Sequence, residues 1–486
     1  MTKSTFKRAI PYLLLISFTV VTGVTIWIHR YDLNPDGISY IEIARNYRRG
    51  LISESLSAYW SPVYSWLLIP LSFLFDWVTS AKILQLLISV MWFAASLYLA
   101  EICLFSKTQI VLVALLNLVS VPWFTSINIL TPDALLAVFV VFILAYVLRT
   151  IKYNQKTNWF YYGLLVAIGY LIKSYFLIFG CIFFLYILIV YAPFPSKRIF
   201  FRYFLVGLIP FIYIWSELLY MKYHQLTLGT NAVVTYKKYV LDEEFKFLKE
   251  PVMYPRSGTA YWYDPSDFSN IQINWGKQLN STAHNFKVLF IILFQNFHIG
   301  IIFLLFQNKL KYLQKLLVMF CLIWSVLYVV NIVEIRYLLP ILTPIVICIV
   351  SLYSKQRRIL FCLTVIICCI LFLKSSPRIF IPDTKSFTHY TIHKQLSSPC
   401  TLLSDDWARG LYVSFLAGCK YYGVSRILFN SQNKERVINQ EIEQGKVTHY
   451  LSFKQGNQFS QILKVINSWY EGEIIINLYH VNKKLW

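Results

Sequence analysis

PVYSWLLIPLSFLFDWVT occupies residues 62–79, and whether it crosses a membrane decides the topology of everything that follows. Its apolar content suits a span. Its prolines at 62 and 70, serines at 65 and 72, and Asp76 near the end argue against one. Pro70 in mid-membrane would leave a backbone carbonyl without its donor and bend the helix. Eleven other apolar runs fall near 9–28, 83–104, 109–128, 134–148, 159–172, 175–192, 202–220, 286–307, 316–333, 337–354 and 358–373. Recurrent runs of this length are the mark of transmembrane helices.

The lysines and arginines decide the role of 62–79. The amino-terminal end carries Lys3, Lys7 and Arg8 ahead of the first run, and "VTGVTIWIHR" offers no cleavage site for a signal peptide. An uncleaved first span with a cytoplasmic N-terminus follows. Four connections are strongly basic: 149–158, 195–202, 308–315 and 355–358. If 62–79 crosses, all four lie outside; if it does not, all four lie in the cytoplasm, as short basic loops prefer. The segment is therefore read as a helix lying in, or dipping into, the outer face. The fold class is mainly α: a polytopic bundle of about 11 spans.

Composition agrees. Of 486 residues, 57% are hydrophobic, 18% aromatic and only 14% charged, with mean hydropathy +0.55. Soluble domains carry roughly 25% charge. The net charge of +22 resides mainly in the short connections, so it reports topology rather than nucleic-acid binding. No zinc-ligand spacing or RNA-binding signature is present. Seven of the nine cysteines lie in apolar runs as small packing residues. Cys400 and Cys419 lie in the polar C-terminal part and are able to pair if it faces an oxidising compartment.

This topology places three segments outside: 29–82, 221–285 and the region from 375 onward. The chain divides into a membrane domain, 1–374, and an extracytoplasmic α/β domain, 375–486. In the latter, "CTLLSDDWARGLYVSFLAGCKYYG" reads as strand, turn and helix, "VTHYLSF" and "EIIINLYHV" as strands, and "QFSQILKVINSWY" as a helix. No motif in it implies chemistry.

"RYDLNPDGISYIEIARNYRRG", 30–50, follows the first span directly. Asn34 as N-cap, Pro35 at the first helical position and Gly50 as stop predict an interfacial helix. Tyr40, Ile43, Ala44, Tyr47 and Leu51 share one face; Glu42, Arg45 and Arg49 share the other, toward water. Asp36 falls in the first turn. Its simplest role there is to complement the helix dipole, worth about 0.3–1 kcal/mol; the functional alternative is a general base at the membrane surface. Asp133 in "NILTPDALL" and the Glu334–Arg336 pair in "VNIVEIRYLLP" reach the same outer side. A helix cap and a local ion pair are their simplest roles. Lys173 interrupts "GYLIKSYFLIF" at an outward turn, where snorkelling alone would explain it. Arg45, Arg48, Arg49 and Arg256 are further cations for an anion. Charges at a membrane edge are costly and usually face a cavity.

"DGISYIEIARNY" after the first span, "YWSPVYSWLL" (59–68), "TPDALL" (131–136) and "EIRYLLP" (334–340), in this order over roughly 1–374, resemble the GT-C superfamily of membrane glycosyltransferases, of the protein O-mannosyltransferase and aminoarabinose-transferase type. The resemblance implies a sugar donor on a polyprenyl-phosphate carrier, Asp36 as catalytic base and Asp133 as the second acid. It further implies basic residues on the carrier phosphate, here Lys173 and Arg336, with Tyr40, Arg45, Glu334 and Tyr337 completing the substrate site. The acceptor would be a glycan, lipid or protein hydroxyl, and the setting an integral protein of the plasma (inner) membrane. Two motifs depart from the family. Asp36-Gly37 replaces Asp-Glu, and Trp60-Ser61-Pro62 replaces the Glu-Lys-Pro or His-Pro-Pro form. Sugar and acceptor stay open. No cofactor or metal ligand is assigned, and divalent-metal dependence stays open. A transporter or flippase of polyprenyl-linked glycans is the alternative, but it requires charges deep within several spans. Here the acids gather at one surface. A non-catalytic scaffold is a third reading.

Overall fold

The computed structural model describes all residues except 1–2, 104–105, 153–158, 192–195, 242–252, 255–267, 298–311, 352–357, 422, 425–441, 443–446, 454–462, 472–473 and 482–486. Arg256 and much of the four basic connections fall outside the described residues. Six described helical segments are long and apolar enough to cross a membrane by length and composition, with four shorter apolar helices among them.

The first helix, α1, is Lys3–Ile28. It leads into α2 (Pro35–Arg48), α3 (Ile52–Ser55), α4 (Val63–Leu71) and α5 (Trp77–Ile102). α4 holds nine residues, about 14 Å of helix against a hydrocarbon core of about 30 Å, so it does not span. The run 62–79 is not one helix, however. It turns at 72–76, and the Asp76 carboxylate accepts from Val78 N and Thr79 N, both at 3.0 Å, starting α5. Asp76 is a cap, which is why the next span begins six residues before its expected start.

α6 (Lys107–Leu118) opens on a capping box between Ser106 and Gln109. The run expected at 109–128 breaks before Pro122, which enters the first turn of α7 (Val121–Ser126). Then come α8 (Asp133–Lys152), α9 (Trp159–Ile172), α10 (Tyr175–Val190) and α11 (Lys197–Tyr223). α9 and α11 touch backbone to backbone. A Cβ on Gly163 would lie 2.1 Å from Phe204 O, and one on Gly207 would lie 2.1 Å from Phe160 O, the small-residue contact by which membrane helices approach. α12 (Asn231–Tyr239) lies in the long connection after α11. α13 (Trp275–Phe297), α14 (Tyr312–Val329), a 3-10 turn (Ile335–Leu338), α15 (Leu339–Ser351) and α16 (Arg358–Phe380) follow. α16 runs unbroken through 374–375.

The C-terminal part is α/β. It contains α17 (Thr384–His393) and α18 (Trp407–Ala417), the latter capped by Asp406 and by left-handed Gly418. The strands are β2 (Thr401–Ser404), β3 (Lys420–Tyr421), β5 (His449–Ser452), β6 (Leu463–Glu471) and β7 (Ile474–Val481), in the order β3-β2-β5-β7-β6. β2 is parallel to both its neighbours, and the β5–β7–β6 side is antiparallel. Two-residue strands β1 (Met253–Tyr254) and β4 (Gly423–Val424) pair the long connection after α11 with this domain. β6 corrects the helix expected for "QFSQILKVINSWY". Val465, Ile466, Trp469 and Tyr470 favour a strand, and a short connection lets the segment fold back on β7. Cys400 and Cys419 are disulfide-bonded.

The environment of α2 differs from the expected one. Its apolar face packs on α4 and α5, but its charged face is only partly in water: Arg49 is exposed, whereas Glu42 and much of Arg45 are covered. Glu42 is 3% exposed and ion-paired with Arg45, whose guanidinium lies 4.6 Å from the ring of Phe415 on α18. The C-terminal domain therefore covers part of that face, and Leu411, Phe415 and Tyr421 join the same apolar core as the spans.

Candidate active site

Asp36 and Asp133 come together because two chain segments are tied below them. Asn34 makes no capping bond to its own helix; its Oδ1 accepts instead from Leu130 N at 2.8 Å. Gly37 is required at this crossing, since a Cβ there would lie 2.6 Å from Leu130 Cβ and 2.9 Å from Asn34 Oδ1. This accounts physically for the Asp-Gly departure: the residue after Asp36 lies against the 130–132 segment, with no room for a side chain. The seam fixes the first turn of α2 beside the start of α8. Tyr40 anchors the helix one turn on. Its carbonyl accepts from Ser65 Oγ at 2.8 Å, and its ring meets Trp60 and Tyr64 edge-on at 5.2 and 5.3 Å.

These residues line a cavity of about 210 Å³. Asp36, Tyr40, Asp133, Lys173, Arg336 and Tyr337 all face it. Arg336 is the hub. Its Nη1 donates to Asp36 Oδ2 at 3.3 Å, its Nε to Glu334 Oε2 at 2.7 Å and its Nη2 to Tyr337 Oη at 3.2 Å. Nε also lies 4.0 Å from Asp133 Oδ2. One planar fork thus organises three carboxylates, as guanidinium geometry allows.

The two acids differ. The Asp133 side chain is 5% exposed, ion-paired with Lys173 Nζ through Oδ1, and accepts from Thr131 Oγ1 at 2.8 Å through Oδ2. The Asp36 side chain is 38% exposed and holds Arg336 alone among the described residues. Asp133 is buried with a partner on each oxygen; Asp36 is more exposed and keeps one oxygen without a protein partner among the described residues. Lys173 rests 4.1 Å over the ring of Tyr337. Burial lowers its ammonium below the usual lysine range, and Asp133 opposes that. Burial, then Asp36 and Asp133, push the Tyr40 phenol well above its ordinary value, so it stays protonated.

Two expected residues lie elsewhere. Arg45 pairs with Glu42 under α18 and does not line the cavity. Glu334 stands behind Arg336 rather than on the wall. Among the other cations, Arg48 donates to Ser72 O at 2.8 Å, pinning the end of α4, and Arg49 is exposed.

Several lining residues were not anticipated: Tyr59, Thr131, Tyr175, Tyr328, Asn331 and a whole face of α12. Tyr328 Oη is buried without a partner among the described residues. On α12, Asn231, Thr235 and Lys238 recur at i, i+4 and i+7, a helical stripe visible in "NAVVTYKKY" once a helix is assumed there. Among the described residues, no group of three His, Cys, Asp or Glu side chains is placed to hold a metal ion.

No protein-family model matches the chain, and no curated protein matches its sequence. Solved structures do match. ArnT from Cupriavidus metallidurans bound to undecaprenyl phosphate superposes with a TM-score of 0.57 at 10% identity, covering 98% of each chain. The apo form of that protein gives 0.57 at 11% identity with the same coverage. The arabinofuranosyltransferase AftD from Mycobacteria gives 0.50 at 10% identity over 97% of this chain and 42% of its own. At such identities the likeness speaks for the fold alone, and with ArnT it extends over nearly the whole of both chains: this chain shares the fold of these structures.

Proposed function

We propose that this protein is a glycosyltransferase. It moves a sugar from a polyprenyl-phosphate carrier to an acceptor hydroxyl of a lipid, glycan or protein at the outer face of the plasma (inner) membrane. The observation that carries this reading is the pairing, in one cavity, of the half-exposed Asp36 carboxylate with the Arg336 and Lys173 cations. A carrier phosphate leaving group needs cations to take up its developing charge. An acceptor hydroxyl needs a base as its bond to the sugar forms.

The steps follow from these contacts. The donor phosphate competes with Asp36 for the Nη edge of Arg336, which frees the carboxylate. The acceptor oxygen attacks the anomeric carbon and gives its proton to Asp36. The bond from that carbon to the phosphate oxygen breaks, its electron pair staying on the phosphate, which Arg336 and Lys173 hold. A single displacement inverts the anomeric carbon. Asp133 keeps Lys173 charged and in place and takes no proton. An ArnT structure that holds undecaprenyl phosphate in the same fold supports the carrier class. The Cys400–Cys419 bond supports an extracytoplasmic C-terminal domain, and with about eleven spans the N-terminus would lie in the cytoplasm.

Asp36→Asn tests the assignment. Cells producing the variant in place of the native chain should accumulate a polyprenyl-linked sugar, seen by mass spectrometry, while the protein stays abundant and folded. Undiminished transfer, with no accumulation, removes Asp36 from the reaction.

A further inference from the structure

The cavity has two kinds of wall. On the membrane side stand the charges: Asp36, Asp133, Lys173 and Arg336. On the loop side α12 presents Lys238 at its far end and, nearer its start, Asn231 and Thr235, and Asn331 faces the cavity from the turn before Glu334. Asn231, Thr235 and Asn331 are the uncharged part of that wall. These are neutral groups that both donate and accept hydrogen bonds, the complement of a sugar hydroxyl. The phosphate has no use for an amide carbonyl, and the proton transfer needs a stronger base. Around them stand the rings of Tyr59, Trp60 and Tyr239, flat apolar surfaces of the kind a sugar's C–H face covers.

The α12 wall is held firmly enough to discriminate. Thr230 N donates to Ala58 O at 2.8 Å, and Tyr170 Oη donates to Leu228 O at 2.7 Å just ahead of the helix. Asn274 N donates to Tyr236 Oη at 2.8 Å from its other side. Thr235 is 8% exposed, and its hydroxyl proton is committed to Asn231 O at 2.6 Å. With that proton committed, the Thr235 oxygen is left to act as an acceptor, while the Asn231 amide, one turn away, can supply N–H groups. The cavity volume of about 210 Å³ leaves room for a ligand well beyond a single water.

We propose that Asn231 and Thr235 on α12, with Asn331 opposite, are specificity-determining residues that read the hydroxyls of the donor's sugar. The inference rests on the polyprenyl-phosphate donor proposed above. The donor is then gripped by division of labour: cations hold its phosphate, α12 reads its sugar. Sites built to hydrogen-bond a hydroxyl discriminate strongly because their own polar groups are otherwise left unpaired.

The test measures affinity, so it needs no acceptor. Full-length protein in nanodiscs is titrated with bare undecaprenyl phosphate and with undecaprenyl phosphate carrying glucose, mannose or arabinose. The native chain should bind at least one sugar-bearing lipid about tenfold or more tightly than the bare one. Asn231→Ala and Thr235→Val should lose most of that gain while holding bare undecaprenyl phosphate within about twofold of native, which also shows that they are folded. If no sugar tightens binding, if both variants keep the gain, or if they lose affinity for the bare lipid equally, α12 does not read the sugar. Failure of the native chain to bind bare undecaprenyl phosphate at all would instead overturn the donor class, and with it the function proposed above.

Discussion

Replacing Lys173 by methionine removes the cation that Asp133 holds. The Asp133 side chain is 5% exposed and keeps only Thr131 Oγ1 at 2.8 Å and the more distant Arg336 Nε at 4.0 Å. Leaving one member of a buried pair uncompensated costs about 3–5 kcal/mol. Lys173 is 20% exposed and Arg336 remains nearby, so about 2–3 kcal/mol is the better figure here. Asp133→Asn alone strands Lys173 over the Tyr337 ring and costs about 1–2 kcal/mol. The double variant removes both charges together. Its cost should fall below the sum of the singles by about 2 kcal/mol, about thirtyfold in an equilibrium. A double-mutant cycle on denaturant unfolding in detergent measures this directly. The double variant should regain stability without regaining affinity for undecaprenyl phosphate, because the phosphate's cation is gone. Singles that add within about 0.5 kcal/mol would show that the pair is not coupled and that Asp133 is no anchor for Lys173.

Three other outcomes follow from the same contacts. Arg336→Lys cannot reach Asp36, Glu334 and Tyr337 with one ammonium; undecaprenyl phosphate should bind about tenfold or more weakly in a direct titration, with the protein still folded. Gly37→Ala sets a methyl 2.6 Å from Leu130 Cβ, costs about 1–3 kcal/mol by overpacking, and shifts Asp36; thermal unfolding and transfer should both fall. Cys400→Ser opens a disulfide that closes 19 residues of chain, worth about 3 kcal/mol, and should raise protease sensitivity of the C-terminal sheet under non-reducing conditions.

The sequence made legible those features that local chemistry dictates. Pro35 and Gly50 bracket α2 to within a residue or two, and the prolines of 62–79 mark a segment too broken to span. The outward acids were visible because a carboxylate at the edge of an apolar run is costly and stands out. What stayed hidden depends on contacts between distant segments. Nothing local says that Arg45 is covered by Phe415, some 370 positions later, so its charged face reads as solvated. The β6 strand looks helical until β7 is placed beside it. The face of α12 hides in a long polar loop, where three residues spaced for one helical side carry no signal until a cavity is opposite them. Asp133 was visible by position, but its burial and its bonds to Lys173 and Thr131 were not.

The most direct measurement is a cryo-electron microscopy structure of the protein in nanodiscs with undecaprenyl phosphate. The account predicts phosphate density between Arg336 and Lys173, with the Arg336–Asp36 hydrogen bond broken and the Asp36 carboxylate turned into the cavity. Phosphate bound elsewhere on the outer face, with Arg336 still bonded to Asp36, would contradict it.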